Sequence, residues 1–343
     1  MNKESLLYKM ASVFIWALYP VFIAFGSSEG SLGWFIVFVH FSAAIGALLC
    51  GYLSIRADSR HRTFKDLGKR FRSIDSDKWL FVVAAGFCST LYNLCFLYAM
   101  VWTSKAGVTV IIETAPVYAM LFTSVIVTKN WEKLGARHAA ISALILMGVA
   151  LVVMADQKDI QLLFTDYDKY IKTGDFMSLV GCLVALLGSI MSAISDLMRA
   201  QVGNITSRFI SKNAVKYDRE LSGIMFGEAL VRFIALPMAI IVLFLFSDVS
   251  AFSVKDMIYA FIAGFFIFNL GSITYAAALL KSTNPAIALL DYLSPPISIL
   301  LLVMLGLSVL HPYLIIGTAM IIFGNVFLLI IDKKSSQPKS LHP

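Results

Sequence analysis

Two stretches of the chain, TSKAGVTVIIETAPVYAML (residues 103–121) and STNPAIALLDYLSPPISIL (residues 282–300), align with each other without a gap. Each begins with small polar residues, continues as an apolar run that contains one carboxylate, and then reaches a proline. The carboxylates are Glu113 and Asp291. Both stretches are typical of membrane-spanning helices, and a carboxylate inside a membrane is by default a candidate functional residue.

The composition of the whole chain is that of an integral membrane protein. Of its 343 residues, 59% are hydrophobic and only 14% are charged, and the mean hydropathy is +0.82. Soluble globular domains are less apolar than this. Because the apolar runs reach roughly 20 residues, each is long enough to cross a hydrocarbon core of about 30 Å as a helix. The alternating pattern of a transmembrane β-barrel is absent from the sequence, so an all-α membrane protein is expected.

Ten apolar segments predict ten transmembrane helices. The predicted spans are residues 6–26, 33–53, 79–100, 104–127, 135–155, 175–198, 222–246, 256–280, 284–307 and 311–331.

The Lys and Arg residues of the loops predict the orientation of these spans. With a cytoplasmic N-terminus, 22 of the 28 basic residues lie on the cytoplasmic side, five lie on the other side, and Arg232 lies within a span. Basic residues concentrate in cytoplasmic loops, so both termini are expected in the cytoplasm and the location is expected to be a bacterial inner membrane. The basic stretch 60–79 fits either a solvated loop or an amphipathic helix on anionic lipid headgroups.

The two halves of the chain are expected to form an inverted repeat. Each half contains five spans, an odd number, so the second half enters the membrane from the opposite side. A second alignment without gaps sets residues 34–53 over residues 226–245 and places His40 over Arg232. The predicted organisation is a first five-helix half (1–155), an outer linker (156–174), a second five-helix half (175–332) and a cytoplasmic tail (333–343).

The two carboxylates of the opening stretches are the first candidate site residues. Glu113 and Asp291 lie roughly 14 Å and 10 Å from opposite membrane faces, counting 1.5 Å of helix per residue. A lone ionised carboxylate at such depth costs a few kcal/mol. Each could bind a substrate ammonium group or carry a proton, and the alternative role is a structural hydrogen bond between helices.

Arg232 is the basic residue in the middle of a predicted span. A guanidinium group there could bind a substrate carboxylate through two parallel hydrogen bonds. Glu228 lies four residues earlier on the same helix face, so a structural ion pair is the alternative. His40 occupies the matching position in the first half and could relay protons or have a structural role.

Polar aromatic and amide side chains inside the spans complete the candidate substrate site, since such groups can line a cavity. Each of them could instead serve helix packing. These residues are Trp16, Tyr19, Tyr92, Asn93, Tyr98, Asn269, Tyr275 and Tyr292.

Several motifs in order along the chain resemble the drug/metabolite transporter superfamily, in its ten-helix EamA-type branch. They are IWALYP (15–20), ETAPVYAML (113–121), NWEKLG (130–135), LVRFIALPMAI (230–240) and YLSPPISIL (292–300).

The resemblance implies ten helices in two inverted halves around a central substrate cavity. Arg232 matches the arginine of the family pattern, Pro116 and Pro295 match its proline, and Glu132 matches its loop glutamate. The chain departs from the pattern at His40, where an arginine is common, and in SVLHP (308–312), which lacks the loop glutamate. Glu113 and Asp291 are not part of the general pattern.

The expected function is secondary transport, as an exporter or exchanger, of a small polar metabolite such as an amino acid or another amine-bearing compound. Alternating access at a midplane cavity is the expected mechanism. The alternatives are a flippase for a lipid carrier or headgroup and, less favoured because the five histidines are scattered, a membrane-embedded transferase. An enzyme is therefore not expected.

The expected partners are a small-molecule substrate and the lipid bilayer, with protons as a candidate coupling ion. A monomer and a homodimer both remain open. No nucleic acid, metal or cofactor is expected, and the sequence has no GxxxxGK[ST] motif for ATP.

Overall fold

A computed structural model of the chain describes residues 3–26, 31–53, 72, 74–122, 136–156, 165, 167–172, 174–208, 216–246, 250, 252–281 and 290–335. Within these ranges the protein is all-helical, without strands. Most of the basic stretch 60–79 and of the linker 156–174, the loop glutamate Glu132, and tail residues 336–343 lie outside the described residues.

The helices follow the predicted apolar segments. In chain order they are α1 (Lys3–Gly26), α2 (Leu32–Leu53), α3 (Ser76–Trp102), α4 (Lys105–Ile112), α5 (Ala115–Phe122), α6 (Ala136–Asp156), α7 (Tyr167–Lys172), α8 (Gly174–Ser207), α9 (Lys216–Phe246), α10 (Val254–Phe261), a π-helical turn (Ile262–Phe268), α11 (Asn269–Lys281), α12 (Ser294–Met304) and α13 (Pro312–Ser335).

Seven helices of the described part are long and apolar enough to cross a membrane. They are Lys3–Gly26, Leu32–Leu53, Lys78–Trp102, Ala136–Ala155, Phe176–Ser207, Glu220–Leu245 and Val254–Ala278. Two further apolar helices, Leu290–Met304 and Pro312–Phe327, are shorter. The predicted class of all-α integral membrane protein is consistent with these helices, and the count of ten spans stays a prediction.

The helices pack in pairs that join the two halves of the chain. α2 lies against α9, α3 against α8, α6 against α13, and α1 against the segment from α10 to α11. Small residues bring some of these helices very close together. At Gly148 of α6, an added Cβ atom would lie 2.8 Å from the carbonyl oxygen of Gly317 in α13, so this crossing requires residues without side chains.

Candidate functional site

The predicted span that contains Glu113 is interrupted at that residue. Because Pro116 has no N–H group, the carbonyl oxygen of Ile112, four residues earlier, cannot accept the usual helical hydrogen bond. Ser189 Oγ of α8 donates to this carbonyl oxygen at 3.1 Å, and it also lies 2.9 Å from the hydroxyl of Thr114. α4 therefore ends just before Glu113, and α5 begins two residues later.

A short turn followed by a proline occurs at the matching position of the second half. Residues 290–293 form a 3₁₀ turn ahead of α12, and Pro295 lies in the first turn of α12, where its missing N–H group leaves no helical bond unmade. In the alignment of the opening stretches, Glu113 corresponds to Tyr292, which lies in this turn. Both carboxylates thus lie just before the start of a helix that has a proline in its first turn.

Arg232 lies at the centre of a buried network between α2, α3 and α9. Its side chain is 1% exposed. Its Nη1 atom lies 3.0 Å from Ser89 Oγ, to which it donates, and 3.3 Å from His40 Nδ1. The guanidinium carbon lies 4.2 Å from the ring centroid of Phe268, in cation–π geometry.

Glu228 joins this network to a second guanidinium group. One of its carboxylate oxygens lies 3.7 Å from Arg232 Nε, and the other accepts a hydrogen bond from Arg199 Nη1 at 3.2 Å. Arg199 Nη2 also donates to Ser89 Oγ at 2.7 Å. One carboxylate therefore neutralises parts of two cations, and this cluster fixes α3, α8 and α9 to one another.

Glu113 and Asp196 are two carboxylates without direct side-chain partners. Among the described residues, neither side chain forms a hydrogen bond or an ion pair. Glu113 is half-buried and Asp196 is exposed, and Asp196 also interacts electrostatically with Arg199 and Arg232. Glu113 interacts electrostatically with Asp196 and Asp291. Glu113 therefore lies within electrostatic range of two other carboxylates.

Asp291 differs from these two carboxylates because it has a counter-ion. Lys9 Nζ of α1 lies 2.6 Å from Asp291 Oδ2, and the Lys9 side chain is fully buried. The same ammonium group lies 4.0 Å from the ring centroid of Tyr275. Lys9 therefore links α1 to α11 and to the turn before α12.

Aromatic side chains connect the arginine network to the carboxylates. The hydroxyl of Tyr19 donates to Asn93 Oδ1 at 2.6 Å, and the Tyr19 ring packs edge-on against Phe268 at 4.9 Å. Trp16 makes a similar contact with Phe268 at 5.4 Å. Tyr92 interacts electrostatically with both Glu113 and Arg232. Tyr275 and Tyr292 lie beside Asp291.

Ten of the twelve predicted site residues belong to this connected region, and two belong elsewhere. Tyr98 packs against Trp102 at the end of α3, with ring centroids 5.1 Å apart. Asn269 donates to the carbonyl oxygens of Gly264 and Phe265 in the π-helical turn. Because such turns leave backbone carbonyls without regular partners, Asn269 stabilises the backbone here.

The structure adds charged residues that sequence reasoning missed. The charge count assigned Arg199 and Lys9 to cytoplasmic sides of the membrane, but α8 continues to Ser207 and both residues lie within helices. Asp196 could have been found, since it is a carboxylate inside a predicted span like Glu113. Lys9 gave no such signal, because a lysine near a helix end usually reaches toward water.

A separate cavity of about 420 Å³ lies at the ends of α3, α6 and α12. Its lining includes Ser104, Lys105, Ser308 and His311. By the predicted orientation this is the outer side of the membrane. None of the carboxylates Glu113, Asp196 and Asp291 lines it.

One protein-family model matches the first half of the chain. The EamA-like transporter family matches residues 4–154, a range that contains α1 to α6 with Glu113 and His40. Over this range the chain resembles the members of that family. The resemblance to the drug/metabolite transporter superfamily is thereby confirmed.

A solved crystal structure has the same overall fold as the whole chain. It covers 97% of this chain and 100% of its own length, with a TM-score of 0.52 and 15% sequence identity. At this identity the likeness shows the fold alone. No curated protein matches the sequence significantly. The EamA match over residues 4–154 and the apolar helices point to a multi-pass membrane transporter of the drug/metabolite type rather than to an enzyme.

Proposed function

We propose that this EamA-type protein is a secondary transporter of a small amine-bearing compound, either an amino acid or an amine. The observation that carries the proposal is Glu113, a half-buried carboxylate inside a predicted span whose side chain has no direct partner among the described residues. The exposed carboxylate of Asp196 lies within electrostatic range of it. Burying an unpaired charge is costly. A substrate ammonium group would supply the missing positive charge.

The arginine network leaves little free positive charge for an anionic substrate, which favours a cationic one. Glu228 lies between Arg199 and Arg232, so both guanidinium groups already have a carboxylate partner. Arg232 Nη2 nevertheless has no hydrogen-bond partner within the described part of the chain. This donor is where the carboxylate of an amino acid would bind, whereas an amine needs only the carboxylates near Glu113.

Alternating access is the proposed mechanism, with the two halves moving around this site. The interruption at Glu113 supports it, since a broken helix can bend where it is interrupted. The pairing of α2 with α9 and of α6 with α13 supports an inverted repeat, because each pair joins matching spans. His40 and Arg232, which the alignment matches, also lie in contact.

The division into five-helix halves (1–155 and 175–332), the cytoplasmic termini and the bacterial inner-membrane location belong to this proposal. Export or exchange is the proposed mode, and a proton is a candidate for the exchanged ion. Glu113 is a suitable proton carrier because a single carboxylate can bind either a proton or an ammonium group, but not both together.

Uptake into proteoliposomes tests the proposal. Radiolabelled amino acids are assayed, each paired with the amine that remains after loss of its carboxylate; lysine and cadaverine form one such pair. We expect uptake above that of protein-free liposomes for at least one member of a pair. Losing one charged contact to the ammonium group should lower uptake about tenfold or more in Glu113→Gln.

Glu4→Gln is the matched control, because Glu4 is 65% exposed and its ion pair with Lys281 lies at the surface. It should transport as the wild type does. Equal transport by Glu113→Gln and the wild type would contradict the role of Glu113. Uptake of cadaverine but not of lysine would show that Arg232 does not serve as a substrate ligand.

A further inference from the structure

Lys9 is the most deeply buried ammonium group in the described part of the chain. Its side chain is fully buried, and its Nζ atom lies 2.6 Å from Asp291 Oδ2 and 4.0 Å from the centroid of the Tyr275 ring. Lysine is rarely buried to this extent unless it is paired. The pairing must therefore compensate for the loss of hydration.

The partners of Lys9 are the groups that would bind a free amine. A carboxylate and the face of an aromatic ring are the usual ligands of an ammonium group in proteins. Asp291 also belongs electrostatically to the region of Glu113. Its side chain remains 36% exposed, so another cation can approach it. The protein's own ammonium group thus occupies part of the proposed substrate site.

The Lys9 contact also closes an interface between segments. Lys9 is in the second turn of α1, Tyr275 is in α11, and Asp291 is in the turn before α12. Nearby, Ser12 Oγ of α1 donates to the carbonyl oxygen of Gly271 in α11 at 3.3 Å. This interface lies toward the predicted cytoplasmic ends of α1 and α11.

We propose that Lys9 is a tethered ammonium group that holds the cytoplasmic side of the transporter closed, and that an amine substrate opens it by displacing Lys9 from Asp291. The inference rests on the proposed amine substrate. On displacement one ammonium–carboxylate pair replaces another, so Asp291 keeps a counter-ion. The released Lys9 side chain is long enough to reach the nearby cytoplasmic water. Substrate binding at Asp291 is thereby coupled to separation of α1 from α11.

Amide hydrogen exchange of the full-length protein in nanodiscs tests this inference without a transport assay. Lys9→Met keeps most of the side-chain volume and removes the charge. We expect exchange in residues 3–12 and 272–281 to become about tenfold faster or more, because the local opening no longer breaks an ion pair. Lys9→Arg retains a cation and should stay close to the wild type.

Lys281→Met is the matched control for the interface. Lys281 pairs with Glu4 between the same two helices, but the two side chains are 30% and 65% exposed. Such exposed pairs contribute little, so exchange should change less than about twofold. Should Lys9→Met fail to fold, Asp291→Asn replaces it, and the same acceleration is expected.

Cadaverine is the probe for displacement, and 1,5-pentanediol is its uncharged control. Cadaverine should accelerate exchange in the same two segments of the wild type and have no further effect on Lys9→Met. The diol should have no effect on either protein. If amide exchange in Lys9→Met were as slow as in the wild type, the proposed closure would be overturned. The same holds for Asp291→Asn where that variant replaces Lys9→Met.

The outcomes separate this inference from the proposed function. If Lys9→Met accelerates exchange but the wild type transports neither amines nor amino acids, the closure stands and the proposed substrate class fails. If cadaverine is transported and yet leaves wild-type exchange unchanged, the substrate class stands and displacement of Lys9 is overturned.

Discussion

Glu228 shows how single residues decide the electrostatics of this protein. Its carboxylate lies between Arg199 and Arg232, and Ser89 accepts a hydrogen bond from each of the two guanidinium groups. Two cations inside an apolar bundle would repel each other without it. Glu113 has the opposite situation, since no cation of the described residues pairs with it. The first arrangement is structural and the second leaves a charge available for a ligand.

Replacing Glu228 should destabilise the protein strongly. Glu228→Ala leaves two buried or largely buried guanidinium groups without a carboxylate partner, and we expect a loss of about 3 kcal/mol in the free energy of unfolding. Chemical unfolding in detergent micelles, followed by tryptophan fluorescence, measures this loss. Glu4→Ala removes an exposed carboxylate and should leave the stability nearly unchanged. Equal stabilities of the two variants would show that the network is not structural.

At the scale of helices, backbone chemistry determines where the spans break and how closely they pack. Pro116 has no N–H group, so the carbonyl oxygen of Ile112 lacks its helical partner. Ser189 of a neighbouring helix donates a hydrogen bond to that oxygen. In the sequence, Pro116 predicts an interrupted helix, but it does not reveal that a hydroxyl group of α8 compensates for the lost hydrogen bond. That contact depends on the packing of α4 against α8, which no local pattern contains.

Gly148 provides a test of helix packing. An added Cβ atom would lie 2.8 Å from the carbonyl oxygen of Gly317 and 2.9 Å from Ile321 Cγ1. Gly148→Ala should therefore separate α6 from α13 and lower the unfolding free energy by about 1–3 kcal/mol.

Gly203→Ala is the control for that substitution. A Cβ atom added at Gly203 would lie 3.6 Å from its nearest neighbour, Ile224 Cγ1, which is an ordinary van der Waals contact. Because alanine favours helices over glycine, this variant should be as stable as the wild type or slightly more stable. The unfolding assay used for Glu228 compares the two, and a loss of stability in Gly203→Ala equal to that in Gly148→Ala would refute the packing argument.

At the scale of the whole molecule, hydropathy predicted the helices well but not the partners of their charged residues. Apolar runs identify helices because backbone groups in lipid must bond internally, and the observed helices follow the predicted segments. Charged residues near predicted span ends were harder to place. Lys9 and Arg199 had been counted with the cytoplasmic charges, yet each lies in a helix and pairs with an acid from another segment.

Tertiary contacts explain this limit. Whether a lysine reaches toward water or toward a carboxylate depends on which helix packs beside it, and a single sequence does not contain that information. Asp196 is a different case, since it lies within the predicted span 175–198 but only two residues from its end. Glu113, roughly 14 Å deep by the count of 1.5 Å per residue, is the carboxylate that carries the proposed function.

Counterflow of radiolabelled cadaverine in proteoliposomes loaded with unlabelled cadaverine tests the proposed function most directly. The wild type should accumulate label transiently, because a carrier exchanges substrate across the membrane without an energy source. Asp196→Asn should reduce the initial rate about tenfold or more, as expected for loss of a charged contact to the ammonium group. Asp75→Asn, at a surface residue that is 63% exposed, should match the wild type. Counterflow by Asp196→Asn at the wild-type rate would contradict the interior carboxylate site.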